Sequence, residues 1–195
     1  EVLKIDYSLE LAHYGAGVSY DALGDQNSAI YHYVKAINLD PDSSIYKQAL
    51  DNYMEVAEMQ PWNSEALYNL GMVRKEMRDY ENAIKIFTKV IRIQPDWEDS
   101  YLRRAQCYEV VNEYKLASED YTNVICIRSD GGPFGRRGYC FQRIGEYQKA
   151  IDDYTTVIEN GRPHYKTYLH RATCYKQIGL DEAAQRDYQK SAELE

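Results

Sequence analysis

The chain has 195 residues and a formal net charge of −8. Such an acidic balance argues against a sequence-independent grip on nucleic-acid phosphates. With no run of about eighteen apolar residues and no signal-peptide pattern, the sequence predicts neither membrane insertion nor export. The charge is uneven: −7 over residues 1–63, −2 over 64–130 and +1 over 131–195.

In chain order, Glu1–Tyr7 (EVLKIDY) matches in register the end of a later helix, KVIRIQP at Lys89–Pro95. Residues 1–9 therefore read as the tail of a preceding unit. The start at Glu1 and the end at Glu195 predict a piece of a longer array, the alternative being a natural terminus with a short leading helix. Helices follow near 10–22 and 26–39, turned at Gly24-Asp25 and closed by Asp40-Pro41, giving a unit at 10–43. Residues 44–63 are too short for another pair. Asp42-Ser43-Ser44 offers an N-cap, and a single helix over 44–59 makes an incomplete unit. Either the array bends there or residues are missing from the string.

Ser64–Trp97 is the clearest unit. Leu67, Leu70, Gly71 and Val73 give one amphipathic run; Tyr80, Ala83, Ile84, Phe87, Val90 and Ile91 give a second. The short polar turn Met77-Arg78-Asp79 forces them antiparallel, and Pro95 stops the second. Comparable pairs are predicted over 98–130, 131–164 and 165–195, for about eleven helices in all. In the 131–164 unit the glycines of Ser129–Gly135 delay the first helix to near Pro133. No Gly-Lys-Ser/Thr follows, so that cluster is a turn rather than a phosphate loop.

A hairpin this small cannot bury its own apolar face, and the sequence repeats it. The second-helix aromatic recurs as Tyr33, Tyr53, Phe87, Tyr121, Tyr154 and Tyr188. Four residues earlier stand Ala29, Ala49, Ala83, Ala117, Ala150 and Ala184. Gly71 is matched by Gly17, Ala105, Gly138 and Ala172. This pattern resembles the tetratricopeptide repeat (TPR) family over nearly the whole chain. The resemblance implies an all-α solenoid: antiparallel hairpins stacked into a right-handed superhelix, with first helices lining a concave groove.

No catalytic constellation stands out. His13, His32, His164 and His170 fall in different columns, and none has metal-site spacing or a neighbouring nucleophile motif. Cys107, Cys140 and Cys174 share one first-helix column and read, with Cys126, as small buried hydrophobes. Free thiols suit a reducing, cytoplasmic compartment. The reading is a non-enzyme with no cofactor and no metal.

Most tyrosines, Tyr20, Tyr108 and Tyr175 included, read as core. Tyr14, Tyr68 and Tyr139 lie on the opposite face of the first helices, which the resemblance assigns to the groove. The candidate partner-binding set is Tyr68, Met72, Arg103, Gln106, Arg136, Tyr139, Lys166 and His170. It implies a protein-binding scaffold that takes an extended peptide or a helix, as part of a larger assembly. One alternative is a co-chaperone-type receptor for chaperone C-terminal peptides. That sub-class uses a cationic clamp, of which only Asn69 and Arg103 match here; Tyr14, Val18 and Asp99 stand at the other sites. The other alternative is a regulatory module attached to an enzyme domain outside this sequence.

The last three units share one further feature. An arginine precedes the small first-helix residue (Arg104, Arg137, Arg171), and an aspartate precedes the second-helix aromatic (Asp120, Asp153, Asp187). The two earlier units have neither, with Ala16 and Leu70 against His32 and Ile86. Joint gain predicts contact. Residues placed symmetrically about a hairpin turn sit at one height, which allows Arg104 to meet Asp120 and equally Asp120 to meet Arg137 of the next unit. Crossed pairs would leave Arg104 facing Ile86, so the expected ion pairs are Arg104–Asp120, Arg137–Asp153 and Arg171–Asp187.

Overall fold

The computed structural model describes residues 2–39, 51, 54, 59, 61–128, 132–161 and 164–195. The described residues form ten α-helices and no strand. The chain divides into two compact units, Glu1–Ser100 and Tyr101–Glu195. The first holds α1 (Val2–Ala22), α2 (Gln26–Leu39), α3 (Ser64–Glu76) and α4 (Tyr80–Ile93). Helix α5 (Glu98–Val110) starts at the end of the first unit and leads into the second. There follow α6 (Tyr114–Ile127), α7 (Phe134–Arg143), α8 (Tyr147–Asn160), α9 (Tyr165–Gln177) and α10 (Asp181–Leu194).

Consecutive helices pair as antiparallel hairpins. Each turn places one residue in the left-handed region: Gly24, Arg78, Asn112, Gly145 and Gly179, with φ between 62° and 82°. Glycine adopts that conformation freely, whereas Arg78 stores about 1–2 kcal/mol of strain. Asn63 caps α3, its side chain accepting from the backbone N–H groups of Glu65 and Ala66 at 3.1 Å each. Within the second unit α7 packs against α6 and α9 against α8. In that unit the first helices α7 and α9 thus each lie on the second helix of the hairpin before them.

The repeated small and aromatic columns form the core. A Cβ on Gly71 would stand 2.7 Å from the Phe87 ring, and one on Gly138 3.1 Å from the Tyr154 ring. The missing side chain is what lets each ring lie across the facing helix. Phe87, Tyr121 and Tyr154 are buried, as are the alanines Ala83, Ala117 and Ala150 four residues before them. Cys107, Cys140 and Cys174 are also buried. Burial pushes the Cys140 thiol up to about 12 and the Cys174 thiol up to about 11, so both stay protonated and pack as hydrophobes.

Several expectations are corrected here. Helix α1 runs unbroken from Val2 to Ala22, where the sequence predicts a helix only near 10–22. Tyr7 stands where the matching register has Pro95, and tyrosine does not interrupt a helix. Cys126 is exposed because the last turn of α6, through Arg128, faces outward. Tyr20 and Tyr188 are each 37% exposed rather than core. Tyr20 stacks on His32 at 5.3 Å, and no described helix follows α10 to cover Tyr188. Helix α7 begins at Phe134 with Pro133 as its cap residue. The single helix expected over 44–59 falls almost wholly outside the described residues.

Candidate functional site

The arginine and aspartate columns meet inside each of the last three hairpins. Arg104 donates from Nε and Nη2 to the two oxygens of Asp120 at 2.8 and 2.7 Å. Arg137 makes the same fork to Asp153 at 2.9 and 2.7 Å. Arg171 makes it to Asp187 at 2.7 and 2.9 Å. All three aspartates are buried. Burial pushes the Asp120 carboxyl above its ordinary range, and the Arg104 fork pulls against that rise. The bidentate geometry is the strong form of a charge-assisted hydrogen bond.

Each arginine is held further by neighbours that sequence reasoning did not single out. The Arg137 guanidinium lies 5.5 Å from the Phe134 ring and 5.6 Å from the Phe141 ring. Tyr101 and Tyr108 flank Arg104, and Tyr168 and Tyr175 flank Arg171, in the same way. The signal was available: an aromatic stands three residues before and four residues after every one of these arginines. In addition, Arg137 Nη1 donates to Thr122 Oγ1 at 3.1 Å and Arg171 Nη1 to Thr155 Oγ1 at 2.9 Å. Both threonines belong to the preceding hairpin, so these arginines tie successive hairpins as well as their own two helices.

The candidate partner-binding residues divide. In the first unit Tyr68 is only 3% exposed, stacked on Trp97 at 4.7 Å and tilted against Phe87 at 5.8 Å. It is a core residue and leaves the groove set. Met72, on the same helix, is half-buried. In the second unit Arg103 and Gln106 are half-buried on α5. Arg136 on α7 is exposed and reaches back to Glu109 on α5, Nη1 to Oε2 at 2.7 Å. Tyr139 meets His170 of α9 edge-on at 5.8 Å, and His170 stacks on Tyr154 at 5.8 Å. Lys166 is exposed beside Tyr165. Thus α7 contacts both neighbours, Arg136 pairing with Glu109 of α5 and Tyr139 meeting His170 of α9. Sequence reasoning missed Arg143, which follows Tyr139 by one helical turn and donates to its hydroxyl at 2.9 Å.

Two histidines meet as well. His13 Nδ1 and His32 Nδ1 are 2.9 Å apart across the first hairpin, with His32 in the column that later carries aspartate. No group of three or more His, Cys, Asp or Glu suited to a metal occurs among the described residues. Burial lowers the pKa of His32, and His13 lowers it further; burial and then Lys166 lower that of His170. A base with a depressed folded-state pKa takes up its proton more readily once unfolded. Stability should therefore fall as pH drops below about 6.5, and His170→Gln should flatten that dependence. Urea midpoints at pH 7.5 and 5.5 measure both.

Residues 11–43 and 64–96 match the family model described as tetratricopeptide repeat. Among curated proteins, the human "DnaJ homolog subfamily C member 7" is 32% identical over 83 residues, covering 40% of this chain and 17% of that protein. A homologue from Dictyostelium discoideum is 22% identical over 142 residues, covering 67% and 26% respectively. The chain thus spans only a fraction of these relatives. Among solved structures, residues 41 to the end of MamA from Desulfovibrio magneticus RS-1 superpose with a TM-score of 0.70 at 19% identity, covering 87% of this chain and 95% of that one. YrrB, described as a TPR protein with an unusual peptide-binding site, gives 0.67 at 16% identity, covering 94% and 84%. At that identity the likeness is one of fold. The repeating hairpins and the small residues beneath each ring agree with these findings: residues 11–43 and 64–96 match the tetratricopeptide repeat, and the chain shares the all-α solenoid fold of these neighbours.

Proposed function

We propose that the chain is a non-catalytic protein-binding scaffold, with the α5–α7–α9 face of its second unit receiving an extended peptide from a partner. The observation that carries this reading is the grouping of aromatic and arginine side chains along α7. Tyr139 and His170 present half-buried rings beside the exposed Arg136. Aromatic and arginine side chains are the types that dominate binding energy at protein interfaces. YrrB gives a precedent for peptide binding on the same fold. The buried free thiols fit a reducing compartment such as the cytoplasm.

A randomised octapeptide library selected on the immobilised chain tests this directly. Peptides should be retained, and Tyr139→Ala should weaken a retained peptide about tenfold or more while the melting temperature moves little. Retention of no peptide, or equal affinity of the variant, would refute the reading.

A second reading, the co-chaperone-type receptor, draws on the similarity to the DnaJ homologues. Two features weigh against it. Asn69, one of two matches to the cationic clamp, is buried. Asp99, at another clamp site, would repel a peptide carboxylate.

A further inference from the structure

Arg143 ends α7 in an unusual setting. Its guanidinium carbon lies 4.5 Å from the centre of the Tyr114 ring and 5.8 Å from that of Tyr139. Its Nη1 donates to Tyr139 Oη at 2.9 Å. The two rings meet edge to face at 6.1 Å, and Tyr114 is itself fixed by donating to Asn112 Oδ1 at 2.7 Å. The arginine is therefore held by rings rather than by charge. It is exposed and pairs with no carboxylate among the described residues. Arg104, Arg137 and Arg171 each have an aspartate, and Arg136 has Glu109. Residues 101–195 carry fourteen basic and fourteen acidic side chains, whereas residues 1–100 carry nine and seventeen. The cation thus stands in the half of the chain with no acidic excess to compensate it.

We infer that Arg143 is the specificity determinant of the α7 face: a guanidinium fork, oriented by Tyr114 and Tyr139, that takes a glutamate or aspartate side chain of an extended partner peptide. This rests on the peptide-binding reading above and names the chemistry of its ligand. A guanidinium has five N–H donors in a rigid plane. Tyr139 uses one on Nη1, and the Nε and Nη2 donors, the edge that matches a carboxylate, have no acceptor among the described residues. Stacking lowers the entropy lost when the fork closes on its anion. Arg136, Tyr139 and Arg143 lie three and four residues apart, so one helical stripe offers a ring between two guanidinium groups.

The same octapeptide selection, run on the full chain and on Arg143→Gln, tests the inference. The exposed substitution should leave the melt unchanged. Peptides retained by the parent should be enriched in Asp and Glu. The enrichment should vanish with Arg143→Gln, and a chosen acidic peptide should lose about tenfold or more in affinity, the contribution of one charge-assisted hydrogen bond. Arg143→Lys, which keeps the charge without the fork, should recover only part of that loss. Retained peptides without acidic enrichment, or enrichment that survives Arg143→Gln, would overturn the inference and leave the peptide-binding reading intact. Retention of nothing would overturn both. A phosphoserine version binding the parent far more tightly than its glutamate original would reassign the fork to phosphopeptides.

Discussion

Asp153→Ala should lower the unfolding free energy of the chain by about 3–5 kcal/mol, the cost of leaving a largely buried charge without its partner. Asp153 is buried, and it accepts both arms of the Arg137 fork. After the substitution Arg137 keeps only Thr122 and the flanking Phe134 and Phe141 rings. None of these supplies a negative charge. Urea unfolding followed by circular dichroism measures the loss. The pair itself contributes far less than that figure, because two charges had to leave water to make it. A double variant, Asp153→Ala with Arg137→Met, should therefore regain most of the lost stability. A cost under about 1 kcal/mol for the single variant would place the pair with ordinary surface ion pairs.

Tyr68→Ala should cost about 3–5 kcal/mol, in the range of large aromatic truncations in cores. Its ring is buried between Trp97 and Phe87. Removal would leave a cavity under Trp97 and uncover the Phe87 ring that lies on Gly71. Tyr139→Ala, by contrast, removes a half-buried ring and should cost about 1 kcal/mol. The two tyrosines thus separate packing from partner capture. Thermal melts of the two variants side by side provide the check. If Tyr68→Ala melts with the parent, the ring is not part of the core.

Repetition made the architecture readable without coordinates. A column of small residues facing a column of aromatics, at Gly71 and Phe87 and again at Gly138 and Tyr154, defines which helix faces touch inside a hairpin. That contact is local, made between segments a short turn apart. The arginine–aspartate columns belong to the same local geometry, since each pair spans one turn. For the same reason the register of α7 could be read from Pro133 and the glycines before it.

What only the tertiary structure decided lies beyond a single hairpin. Tyr68 and Tyr139 look alike in the sequence: tyrosines on the polar side of a first helix. Trp97, which lies outside the α3–α4 hairpin, covers Tyr68. Tyr139 meets His170 and Arg143 and stays half open. Helical periodicity states which residues share a face, but not what arrives to cover it. The same limit hid the Thr122 and Thr155 hydroxyls that join Arg137 and Arg171 to the preceding hairpin, and the meeting of His13 with His32. Side-chain reach across helices depends on rotamer and on the packing between neighbouring elements, and neither is encoded in the spacing of one segment.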